Sequence, residues 1–155
     1  MKKVQQWLDV YSESHRHPAN KLIHWICIPL IIFSLLGLLW YVPFPMSDVI
    51  TTVPLNGATV FILAAALYYF FLTWQLAIGM LIYSIIMYLV LLLIDNLDTP
   101  LWLVACIIFL FAWAGQFVGH YIEGRRPSFF TDIQFLLIGP LWLMAAVYRK
   151  LRIPY

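Results

Sequence analysis

Four apolar runs dominate the chain: Leu22–Val42, Leu55–Trp74, Leu76–Ile94 and Leu101–Ile122. Each is close to the roughly 20 residues a helix needs to cross the hydrocarbon core of a bilayer. Of the 155 residues, 64% are hydrophobic and 10% charged, against about 25% charged in soluble domains. The expectation is therefore an all-α fold, a polytopic membrane bundle of about four transmembrane helices. A fifth run, Ile133–Tyr148, is shorter and is interrupted by Gly139-Pro140. It reads as a re-entrant or interfacial pair of short helices, since broken backbone is tolerated at depth where protein or water satisfies it. With no repeat or long linker, residues 1–155 read as a single integral-membrane domain.

The charges that remain orient the bundle. Lys2, Lys3, Arg16 and Lys21 precede the first run, Arg125 and Arg126 follow the fourth, and Arg149, Lys150 and Arg152 follow the fifth. The loop after the first run carries only Asp48, and the loop after the third only Asp95 and Asp98. By the positive-inside rule the N-terminus is cytoplasmic, and a fifth run that returns keeps the tail there too. A bacterial inner membrane is favoured, with the endoplasmic reticulum the choice for a eukaryotic source. The formal net charge of +2 says little about partners, and no nucleic acid is expected among them. Met1–Ser14 places Val4, Trp7, Leu8 and Tyr11 at helical spacing, which suits an amphipathic helix on the cytoplasmic interface. It is too polar and too short for a secretory signal. Cys27 and Cys106 lie in separate apolar runs and read as small core residues. Asp95 and Asp98 read as loop solvation, with Asp95 a candidate end for the third span.

Histidine is the residue type that points to chemistry. All four fall at two places: His15, His17 and His24 around the start of the first run, and His120 at the end of the fourth. Ionisable groups at membrane depth are costly and usually functional. With a helix starting at Pro18, Asn20 and His24 stand at i and i+4 on one face. Gln116, His120 and Glu123 likewise share a face. Topology puts both faces at the same side and depth, so they can meet in the bundle core. Imidazoles with a carboxylate suit iron, zinc, copper or nickel, and two histidines with one carboxylate is a non-haem Fe(II) pattern. So few histidines favour one metal over two. Asn20 and Gln116 would orient imidazoles, and Arg125 and Arg126 could hold a carboxylate head group, with an acyl tail lying between the spans. The plainer reading makes the histidines interfacial residues and Arg125-Arg126 a positive-inside anchor.

Tyr11-x3-His15-x4-Asn20-x3-His24-x4-Pro29, followed by Gln116-Phe117-x-Gly119-His120-x2-Glu123-x-Arg125-Arg126-Pro127, resembles the DUF962 or Mpo1-like family of small membrane proteins. The resemblance extends over the whole chain and includes Phe135-Leu136-Leu137-Ile138-Gly139-Pro140; Ser128 departs from it, where a small apolar residue is expected. It implies an Fe(II)-dependent dioxygenase of fatty acid α-oxidation that converts a 2-hydroxy fatty acid and O2 to the acid one carbon shorter. Under it His15, His24 and His120 become the leading metal ligands, with His17 and Glu123 next. Asn20 and Gln116 become supporting residues of the catalytic site. Two other classes compete: a non-enzymatic lipid- or metal-binding membrane protein or scaffold, and a zinc-dependent lipid hydrolase using the same ligands.

Overall fold

The computed structural model describes residues 2–44, 55–97, 100–127 and 134–155; Asp48, Asp98, Ser128 and Ile133 lie outside them. The described residues form six helices: α1 (Lys2–Glu13), α2 (Pro18–Leu39), α3 (Gly57–Leu72), α4 (Trp74–Asp95), α5 (Leu101–Glu123) and α6 (Phe135–Leu151). Three of these, α2, α4 and α5, are long and apolar enough to cross a membrane. Their outward surfaces are as apolar as their inner ones: Leu93 is 68% exposed and Phe111 70%. Such a surface is stable only in lipid or against another apolar body. The second apolar run gives a helix of 16 residues, about 24 Å at 1.5 Å per residue. It is shortened because Thr73 takes an extended conformation (φ −167°, ψ 120°) and turns the chain straight into α4.

The pair α2 and α5 makes the most extensive contact and runs antiparallel. Small residues permit it. A Cβ built on Gly37 would lie 2.9 Å from Ala105 Cβ, and one on Gly115 would lie 2.6 Å from Cys27 Sγ. One on Gly119 would collide with Asn20 Oδ1. Close backbone approach of this kind is how helices associate in lipid, where no hydrophobic drive separates protein from solvent. At the far end Asp95 is the last residue of α4, as the sequence allowed, and its exposed carboxylate also ties α4 to the end of α2. Its Oδ2 accepts from Trp40 Nε1 at 2.9 Å and its Oδ1 from Tyr41 Oη at 3.3 Å. Cys27 and Cys106 are free thiols.

Two expectations change at the other end. From Phe135 onward the fifth apolar run is one continuous helix through Gly139-Pro140, not a broken pair. A proline inside a helix removes a single N–H donor, and Pro140 is buried where α6 packs on Ile28 and Ile32 of α2. Both ends of the helix bond to one turn of the bundle. Tyr69 donates to the Leu137 carbonyl at 2.8 Å and Tyr148 to the Gln75 carbonyl at 2.9 Å. Tyr69 and Gln75 flank the same α3–α4 turn, so both ends of α6 lie at that end of the bundle. The second concerns α1, which is the amphipathic helix expected near the N-terminus but has protein against its apolar face. Its stripe of Val4, Leu8 and Tyr11 is buried in the core cluster that holds Phe135, Ile138 and Trp142 of α6. An amphipathic pattern cannot distinguish lipid from protein as the covering surface, and here the cover is α6.

Candidate metal centre

The α2–α5 contact and the α1–α6 contact meet at three histidines. His15 sits in the turn between α1 and α2, His24 two turns into α2, and His120 in the last turn of α5; their exposures are 1%, 1% and 5%. The ring centroids are 4.3 Å apart for His15 and His24, 4.9 Å for His24 and His120, and 5.1 Å for His15 and His120. One ring nitrogen from each lies within 4.8 Å of the others. Three buried imidazoles this close can hold a metal ion.

Hydrogen bonding fixes which nitrogens face inward. His15 Nδ1 contacts the Tyr11 carbonyl at 2.6 Å, and His24 Nδ1 contacts the Asn20 carbonyl at 2.9 Å. A carbonyl only accepts, so each Nδ1 carries the proton and each Nε2 of the neutral ring is a bare lone pair. Those two Nε2 atoms stand 2.9 Å apart. Neither neutral ring has a proton to place between them, so the arrangement suits a cation. His120 Nδ1 is also buried with no hydrogen-bond partner. Burial pushes the His15 imidazole down to about 4, which keeps it in the neutral, lone-pair-donating form at physiological pH. The donor set therefore fits a metal that accepts imidazole, such as iron, zinc, copper or nickel.

Glu123 holds the two halves of this site together. Its Oε1 accepts from the Arg16 backbone N–H at 2.8 Å, and its Oε2 from the His17 N–H at 2.8 Å and from Asn20 Nδ2 at 3.0 Å. A carboxylate belongs at this place, beside the N-terminus of α2, where free N–H groups and the helix dipole favour an anion. α5 then stops at Gly124, whose φ of 70° ends the helix in a left-handed turn while the Arg125 N–H bonds back to the His120 carbonyl at 3.2 Å. The end of α5 is thus fixed to the entry of α2.

Beside the histidines lies a cleft of about 50 Å³. Its polar lining comes from His24, His120, Gln116, Tyr11 and Trp113, and its apolar lining includes Ile28, Ile31 and Phe135. A second cavity of about 130 Å³, wholly apolar, lies across the Ile28–Ile32–Pro140 wall and reaches Met80, Tyr83 and Met144.

Residues 1–151 match the family described as 2-hydroxy-palmitic acid dioxygenase Mpo1-like. The chain belongs to the Mpo1-like family. It is 31% identical over 150 residues to the 2-hydroxy-palmitic acid dioxygenase MPO1 of Saccharomyces cerevisiae, covering 96% of this chain and 81% of the yeast protein. No solved structure matches it.

In this Mpo1-like chain the structure brings together His15, His24 and His120, with Gln116 on the cleft wall and Asn20 one turn behind His24. It does not bring His17 into the cluster. His17 is exposed, and its Nδ1 accepts from the Ala19 N–H at 3.2 Å as the N-cap of α2. Nor does Glu123 join it, because both oxygens face the three donors described above. Arg125 and Arg126 are exposed beyond α5 and do not line the cleft. Reading the sequence for titratable groups gave no site role to Tyr11, which stacks on His15, or to Trp142, whose Nε1 donates to Ser12 Oγ at 2.8 Å while its ring lies 5.6 Å from His15. It also overlooked Gly115-x-x-x-Gly119, a small-residue motif around Gln116 that signals close helix approach.

Proposed function

We propose that this chain is a dioxygenase of fatty acid α-oxidation that uses Fe(II) held by His15, His24 and His120. The substrate is a 2-hydroxy fatty acid drawn from the membrane. The supporting observation is the convergence of three buried imidazoles, two of which (His24 and His120) line a cleft with a largely apolar wall, in a chain whose yeast relative is named for acting on 2-hydroxy-palmitic acid.

The chemistry balances without an outside reductant. A 2-hydroxy acid and O2 give the acid one carbon shorter, CO2 and water; the substrate itself supplies the four electrons that reduce O2. Bound Fe(II) supplies the redox partner that lets O2 react with a closed-shell organic acid. The protein's own contribution is positional. Tyr11 and Asn20 carbonyls fix the tautomers of His15 and His24, as partners behind metal-binding imidazoles commonly do. Glu123 and Asn20 hold the two sequence-distant halves in register. Ile28, Ile31 and Phe135 keep the cleft dry and accept the start of the acyl chain. Asn20, Gln116 and Glu123 act in this way around the metal; we assign the chain to a membrane, with its N-terminal segment on the cytoplasmic face.

The test is product analysis. Purified protein given Fe(II), O2 and 2-hydroxypalmitate should consume O2 and release the odd-chain acid one carbon shorter. Bound zinc with ester or amide hydrolysis and no O2 uptake would assign the same ligands to a hydrolase instead.

A further inference from the structure

Tyr11 is a polar side chain of the cleft whose own hydroxyl has no part in holding the imidazoles. Tyr11 is 6% exposed, on α1, outside the long apolar helices. Its carbonyl accepts a hydrogen bond from His15 Nδ1–H, and its ring stacks on the His15 ring at 4.1 Å with 15° between the planes. The phenol is therefore held in line with the metal-binding imidazole, and its hydroxyl extends to Gly139 of α6. A Cβ built on Gly139 would lie 2.9 Å from that hydroxyl oxygen, so the glycine leaves room for it. Tyr11 lines the same cleft as His24, His120 and Gln116. Among the described residues no hydrogen bond is formed by the Tyr11 hydroxyl, and a phenol O–H is a donor. The lining, among the described residues, also contains no Lys or Arg. An anionic head group entering here depends on the metal and on neutral donors.

We propose that the Tyr11 hydroxyl donates a hydrogen bond to the carboxylate of the bound 2-hydroxy acid. The amphipathic α1 is then a wall of the active site, and Tyr11 couples the head-group contact to the orientation of His15. This assignment rests on the cleft being the 2-hydroxy acid site.

The experiment compares full-length wild type with Tyr11→Phe, which keeps the ring and carbonyl and removes only the hydroxyl. Both are loaded with Fe(II) without oxygen, and binding of 2-hydroxypalmitate and of the uncharged 1,2-hexadecanediol is measured by calorimetry. Iron content should be the same in both proteins. Tyr11→Phe should bind the acid roughly 10- to 100-fold more weakly, the range for a hydrogen bond to a charged group, with a much smaller loss for the diol. Gly139→Ala, which crowds the hydroxyl without deleting it, should weaken acid binding in the same direction. Equal acid affinity in wild type and Tyr11→Phe overturns the assignment. So does a loss of iron in Tyr11→Phe that accounts for its weaker binding, since that is a purely structural role. If iron-loaded wild type binds no 2-hydroxy acid, the substrate reading itself fails and this assignment falls with it.

Discussion

His15 Nε2 and His24 Nε2 face one another at 2.9 Å, each from a ring whose Nδ1 is committed to a carbonyl four residues earlier. Two lone pairs in contact inside a buried site are unfavourable until a cation lies between them. The metal-free protein therefore carries a local cost that metal relieves. Adding Fe(II) or Zn(II) should raise the melting temperature in proportion to the logarithm of metal over Kd. His24→Ala should abolish that rise while barely lowering, or even raising, the melting temperature of the metal-free protein. A scan with and without a chelator separates the two effects.

Glu123 acts through geometry. Glu123→Gln replaces one acceptor oxygen by an amide that turns its own N–H toward the donors of Arg16, His17 and Asn20. The loss of charge-assisted bonds should cost about 1–3 kcal/mol of stability. Metal affinity should fall by roughly 10- to 100-fold, as when a supporting partner is lost, without being abolished. Chelator competition measures it; complete loss of metal would make Glu123 a ligand.

Gly115 and Cys27 should couple. Gly115→Ala places a methyl against Cys27 Sγ and should cost about 1–3 kcal/mol by overpacking. Combining it with Cys27→Ala removes the obstacle, so the double variant should be more stable than the additive sum by denaturant titration in detergent.

Arg125 and Arg126 are exposed beyond the helix end and absent from the cleft lining. Replacing both by Gln should change acid affinity by no more than about fivefold, the scale of a screened surface charge. A larger loss would bring the pair to the head group.

The sequence made the histidines legible because a polar side chain in an apolar run has few other reasons to be there. His15, His24 and His120 could be paired across about 95 residues because alternating spans return the chain to one side. Neighbouring roles were hidden for identifiable reasons. The partners of Glu123 are mostly backbone N–H groups, which no residue type announces. Tyr11 lay in an amphipathic stripe whose cover, lipid or α6, the pattern does not specify. Pro140 marked a break that packing against α2 does not require. The length of α3 turned on two extended caps, Asn56 and Thr73.

The most direct measurement is the iron content and O2-dependent turnover of detergent-purified protein beside three single variants, His15→Ala, His24→Ala and His120→Ala. One iron per chain, lost in each variant together with formation of the shortened acid, is the expected result. Full iron and full turnover in any one of the three would contradict a centre built from these histidines.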